Sequence, residues 1–285
     1  MTATIVQADE QTSSGDESGL EDLEVNRVRD FWFRRQRAII GLVGVALVVG
    51  SWELSADLKL VNPVFSSKPS AIAIALKDYF DGGGGLHALQ VSATEFGIGF
   101  AIALVAGLLL GLAIGWWRFL DYLFDPLINV GYAVPRIALV PLFVIWFGIG
   151  IQSKLAIVVL SAVFPILLNT ITGVKTTDAS LLRVARSFKA SNVQLFRTVV
   201  LPGALPQIVT GIRLGIGLGL VGMIVGELVS STAGLGFTIE TAGNNFQMPL
   251  MFAAVAVVSA AGVFLSQMLR ILERRLDRWR PQTHE

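Results

Sequence analysis

Six stretches of this chain are each apolar for long enough to cross a lipid bilayer, and no other feature restricts its fold so tightly. Inside hydrocarbon a backbone must satisfy its own N–H and C=O groups, which a span of about 20 residues does as a helix. The stretches run from about Ala38 to Ala56, Ser92 to Trp117, Leu123 to Ile149, Leu155 to Val174, Pro206 to Glu227 and Leu250 to Leu269. Charged residues make up only 15% of the 285, against about 25% in a soluble chain. The expected class is an all-α polytopic membrane protein with six transmembrane helices. The absence of cysteine excludes disulfides, thiolate metal sites and cysteine catalysis together.

Residues 1–26 are polar and acidic and read as a disordered cytoplasmic tail. Residues 27–91 hold an interfacial helix, the first span and an external connector. In them, arginines 27, 29, 34, 35 and 37 surround Phe31-Trp32-Phe33, a composition suited to the headgroup layer. Ser70 to Phe80 is amphipathic, and Gly82 to Gly85 reads as a flexible connector. Residues 92–272 form the core. Residues 273–285 form a cytoplasmic interfacial tail, and Leu269, Leu272, Leu276 and Trp279 make an apolar stripe running from the end of the last span into it.

Within the core, glycines recur every fourth residue at Gly107, Gly111 and Gly115 and at Gly211, Gly215 and Gly219. Such ridges allow helices to approach closely. The third stretch holds Pro126, Pro135 and Pro141, so a broken or kinked span is expected there. It also carries Arg136, the only strong charge deep inside a predicted span. An arginine at that depth costs about 2.5 kcal/mol or more, so it should face a cavity, a partner or water. Carbonyls freed by the flanking prolines could hold it, or it could stand on a translocation pathway and attract an anion.

Between the fourth and fifth spans, residues 175–205 are polar. Asp178 can cap a helix whose apolar residues are Leu181, Leu182, Val184, Ala185 and Phe188, with Arg183, Arg186 and Lys189 on the remaining surface. Ser191-x-x-Gln194 has the form of a capping box and can open a second helix. Pro202 and Pro206 are expected to bend the chain back toward the membrane. Two short amphipathic helices meeting at an elbow suit a partner's groove.

This loop resembles the "EAA" coupling loop of permease subunits from ATP-driven (ABC) importers of the sulfonate/nitrate/taurine type. That pattern runs Glu-Ala-Ala, three residues, Gly, nine residues, Ile-x-Leu-Pro. Here the frame reads Arg183-Val184-Ala185, then Lys189, then Val199-Val200-Leu201-Pro202, so an arginine and a lysine replace the family's glutamate and glycine. Pro135 to Gly148, with Pro141-Leu142 and Trp146-Phe147-Gly148, matches a second block. Glu227 with Gly234-Leu235-Gly236 matches a third. The resemblance implies a type I importer (MetI-like) permease core in a bacterial plasma (inner) membrane. Its partners would be a second copy of the chain, two ATP-binding subunits, an extracytoplasmic solute-binding protein and the lipid bilayer, with no nucleic acid. Contact with the ATPase would come from Arg183, Val184, Ala185, Arg186, Phe188, Lys189, Ala190, Leu201 and Pro202. A pathway between subunits would draw on Arg136, Gly215, Gly219, Met223 and Glu227. The cargo would be a small polar solute, anionic if the sulfonate and nitrate members are a guide.

Basic residues flank the first span, fill the loop and follow the last span, so both termini are expected in the cytoplasm. No Gly-x-x-x-x-Gly-Lys-Ser/Thr occurs. The chain is therefore expected to be no enzyme and to hold no cofactor, with ATP and Mg bound by the partner ATPase. The competing class is a secondary transporter driven by an ion gradient, which would place carboxylates at mid-membrane. Glu53, Glu95 and Glu227 instead lie near predicted span ends.

Overall fold

The computed structural model describes residue 36, residues 39–62 and residues 64–276, and among these every regular element is helical. The acidic tail, the flank around Phe31-Trp32-Phe33 and the end of the chain with Trp279 lie outside the described residues. Five described helices are long and apolar enough to cross a membrane, and a bent pair makes a sixth span if counted as one.

The first, α1 (Ile39–Asp57), belongs to a compact unit of its own. The unit from Val64 onward holds the remaining elements. They are α2 (Pro69–Asp81), α3 (Gly84–Trp116), α4 (Arg118–Ala133), a 3-10 turn (Arg136–Leu139) and α5 (Val140–Phe147). After these come α6 (Ile151–Lys175), α7 (Ala179–Ser187), α8 (Asn192–Leu195), a π-turn (Phe196–Val200), α9 (Leu201–Ser230), α10 (Leu235–Asn244) and α11 (Met248–Leu276).

The core is α6 held between two glycine ridges. A Cβ added at Gly99, Gly107, Gly111 or Gly115 of α3 would fall 2.8, 3.0, 2.6 and 2.8 Å from the Cβ atoms of Val158, Ile166, Thr170 and Val174. Partner numbers rise together, so α3 and α6 run parallel. On the other side Gly211 faces Asn169, Gly215 faces Ile166, and Gly226 faces Ile157 and Lys154. There the partner numbers fall, so α9 runs antiparallel to α6. Only a bare Cα permits these separations, and the β-branched side chains of α6 fill the grooves.

Two expectations change and one holds. The helix α3 starts at Gly84, not near Ser92, so only Gly82 and Gly83 form a turn; Gly83 has φ 75° and caps the helix. Gly85 belongs to that helix because it sits under Tyr79, whose Cδ1 would lie 3.0 Å from an added Cβ. The third stretch does break, and the 87° angle falls between Arg118–Ala133 and Arg136–Phe147. Pro135 lacks an N–H and holds Val134 extended, at ψ 127°. By contrast Pro202 and Pro206 do not bend the chain. Asn192–Ser230 is one helix of 39 residues. Its π-turn carries the Leu201 N–H back to Phe196 O, shifting the register just before Pro202.

Candidate functional site

The elbow forms as its sequence signals require. Asp178 Oδ1 accepts the Ser180 amide at 2.7 Å and caps α7. This hydrogen bond to the Ser180 backbone lowers the Asp178 carboxyl below its ordinary value. Ser191 and Gln194 complete the capping box: the Gln194 amide donates to Ser191 Oγ at 3.3 Å and the Ser191 amide to Gln194 Oε1 at 2.8 Å. Between the two helices, Lys189 takes the left-handed conformation with φ 56°. The Ala190 amide then donates to Ala185 O and the Lys189 amide to Arg186 O, a Schellman ending in which glycine is usual.

The apolar residues of α7 divide between two faces. Leu182 and Ala185 pack inward on a cluster of Val174, Leu195, Val200, Ala204 and Ile208. Leu181, Val184 and Phe188 point outward, Phe188 being 83% exposed. Arg183, Arg186 and Lys189 are exposed beside them, Ala190 and Leu201 are half-buried, and Pro202 is exposed. The Trp116 ring meets Phe196 edge-on at 5.1 Å, which ties the end of α3 to the elbow.

Arg136 stands at the break, not within a continuous span. Its guanidinium carbon lies 5.4 Å from the Tyr132 ring centre and 5.7 Å from that of Phe164. No ion pair joins it to another described residue, and its buried Nε has no hydrogen-bond partner. It lines a cavity of about 390 Å³ with Tyr132, Ile137, Ser161, Leu218 and Val221 among its walls.

The other pathway candidates lie elsewhere. Gly215 and Gly219 are packed against Ile166 and Ala162, Met223 is in the core beside Phe96, and Glu227 is 0% exposed. All four are packed within this chain, against α3, α6 or α10. The open face carries Leu214, Leu218 and Val221.

Sequence reasoning missed a buried polar cluster near the N-terminal ends of α3 and α6 and the C-terminal end of α9. Lys154 pairs with Glu95 and donates to Ser231 Oγ at 3.1 Å. Glu227 accepts Ser92 Oγ at 2.6 Å and the Gly236 amide at 2.6 Å, while the Leu235 amide donates to Ser92 Oγ. Glu227 thereby sits on the N-terminus of α10. In the sequence Lys154 merely flanks a span, and only the pairing of α3 with α6 brings it to Glu95. Among the described residues no group of His, Cys, Asp or Glu could hold a metal ion.

Comparison with known proteins agrees with this architecture. The profile of a family described as "Binding-protein-dependent transport system inner membrane component" matches residues 103–278. The chain is 32% identical to a putative aliphatic sulfonates transport permease protein of Bacillus subtilis (strain 168), over 84% of this chain and 87% of that one. It is also 32% identical to the taurine transport system permease protein of Escherichia coli (strain K12), over 91% of this chain and 96% of that one. Among solved structures, an inward-facing methionine ABC transporter shares the fold, with TM-score 0.56 and 19% identity over 65% of this chain and 94% of that one. With spans, elbow and family profile in agreement, the chain belongs to the binding-protein-dependent transport system inner membrane component family, the permease subunits of ABC importers.

Proposed function

We propose that two copies of this chain form the translocation pathway of an importer for a small, polar, anionic solute, driven by two separate ATPase subunits. The observation that carries the reading is the outward face of α7. Leu181, Val184 and Phe188 are exposed beside Arg183, Arg186 and Lys189 on a helix whose other face is packed. An apolar anchor ringed by charge is the composition of a docking surface.

In this scheme the ATPases bind ATP and Mg, close, and push the elbows. The spans rock from inward- to outward-open, and hydrolysis resets them. An extracytoplasmic binding protein delivers the solute, as the family description implies for its members. Both termini and the elbow lie in the cytoplasm. The relatives that carry aliphatic sulfonates and taurine by name, and the unpaired Arg136, support an anionic cargo.

The test is co-expression with the ATPase and binding protein, native mass spectrometry, and uptake into proteoliposomes. The expected particle holds two copies of this chain and two ATPases and takes up solute only with ATP. Uptake by this chain alone on an ion gradient would overturn the reading in favour of a secondary transporter. Single cysteines introduced into this cysteine-free chain at Gly83 and Asn245 should label from outside, and one at Ser187 from inside.

A further inference from the structure

We infer that the cavity at the break between α4 and α5 is a transient solute site, selective for a small monoanion that has an apolar body and no cationic group. The inference rests on the permease reading and deepens it by naming the class of cargo that this chain itself would select.

The chemistry of the wall supports it. Arg136 is the single charged residue there, and the remainder is largely apolar: Ile137, Ile157, Leu218, Val221 and Val225. Tyr132 and Ser161 add the hydroxyls. The Tyr132 and Phe164 rings approach the guanidinium, and aromatic faces satisfy its charge in part without using its N–H donors. Nε is buried and unpartnered. A buried donor left without an acceptor is costly, and a sulfonate- or carboxylate-type oxygen would remove that cost with a charge-assisted hydrogen bond.

The same wall disfavours a zwitterion. No carboxylate lines the cavity, so an ammonium brought in with the anion would lose water beside a guanidinium and gain no counter-ion. The buried acids Glu95 and Glu227 lie outside the cavity wall, Glu95 paired through Oε1 with Lys154 while its Oε2 has no partner, and Glu227 bonded to Ser92 and the Gly236 amide. The volume of about 390 Å³ admits a short alkyl or aryl body but no large head.

The experiment measures binding of radiolabelled butane-1-sulfonate and taurine to the permease–ATPase complex in nanodiscs, with the binding protein left out. The two probes share the sulfonate and differ in the ammonium. Butane-1-sulfonate should bind the native complex at least about tenfold more tightly than taurine. It should weaken by about tenfold or more in Arg136→Gln, and by less in Arg136→Lys, which keeps the charge and loses the planar fork. Val221→Trp, at a position 53% exposed on the open side of the cavity, should block butane-1-sulfonate while leaving ATPase assembly intact. If Arg136→Gln fails to assemble, Val221→Trp decides alone. Native affinity for butane-1-sulfonate in whichever of these variants assembles would overturn the site, and equal affinity for taurine would overturn its selectivity. Loss of ATPase recruitment by the native chain would instead overturn the permease reading, and the binding comparison would stand apart from it.

Discussion

Glu227 and Gly236 meet through one hydrogen bond, 2.6 Å from the Gly236 amide to Oε2, which folds the turn between α9 and α10 back onto α9. The turn can close because glycine stands on both sides of Leu235. A Cβ at Gly234, where φ is 117°, would lie 2.6 Å from the Glu227 carboxyl carbon. Glu227→Gln turns one accepting oxygen into a donor and should destabilise the purified complex by about 2 kcal/mol. Gly234→Ala should cost at least as much. Thermal unfolding in detergent measures both, and unchanged midpoints would show that the turn does not depend on this contact.

The ridge on α3 should tolerate substitution on one side only. Gly111→Val must displace Thr170, because the new Cβ would fall 2.6 Å from the Thr170 Cβ and 3.0 Å from Leu167 O. Overpacking of this kind costs about 1–3 kcal/mol. At Gly97 an added Cβ meets nothing within 4 Å, so Gly97→Val should melt like the parent chain, and the pair separates packing from helix propensity.

Phe188 is the most exposed anchor of the elbow. Phe188→Ala should leave permease melting unchanged and weaken ATPase association by about 2 kcal/mol, roughly thirtyfold. Arg183→Glu should impair the same association, and a compensating charge reversal on the ATPase should restore it. Association measured by co-purification and by stimulated ATP hydrolysis would contradict the docking assignment if both variants behaved as the parent does.

Lys189 holds a left-handed conformation that costs most residues about 1–2 kcal/mol and glycine little. Lys189→Gly should therefore retain the elbow, whereas Lys189→Val should loosen it. Hydrogen exchange of the Lys189 and Ala190 amides, both bonded back into α7, reads the difference directly.

The cap of α7 should also show a pH threshold. The Asp178 carboxyl lies below its ordinary value of 3.8, chiefly because its charged form accepts the Ser180 amide. A lowered folded-state value means that the cap's contribution is complete above the ordinary value and is lost as pH falls through the lower one. Exchange protection of the Ser180 amide should stay flat from neutrality to about pH 4 and fall below that, and Asp178→Asn should shift or remove the fall.

The elements legible in the sequence are those set by neighbours along the chain. Asp178, Ser191 and Gln194 act on amides two or three residues away, and Pro135 acts on Val134, so caps and break can be read in place. The four-residue glycine spacing likewise announces ridges, though not that both close on α6. The ring of Tyr79 that admits Gly85 to α3, and the Lys154–Glu95 pair, depend on residues brought together by packing. The surroundings of the α9 residues depend on packing in the same way. Gly215, Gly219, Met223 and Glu227 group with Arg136 as pathway residues in the sequence, yet small and polar residues in a span also mark where another helix presses close.

The unbroken helix from Asn192 to Ser230 has a mechanical consequence. Its 39 residues span about 58 Å at 1.5 Å each, so the second half of the elbow and the turn before α10 are two ends of one lever. A tilt of about 10° around its midpoint would carry the ends about 5 Å in opposite senses. The π-turn at Phe196–Val200 and the prolines beside it are the places where such a lever could give; where they hold, a push at Ser191 would reach Glu227 as displacement, with a gearing of about one to one between the ends of the helix.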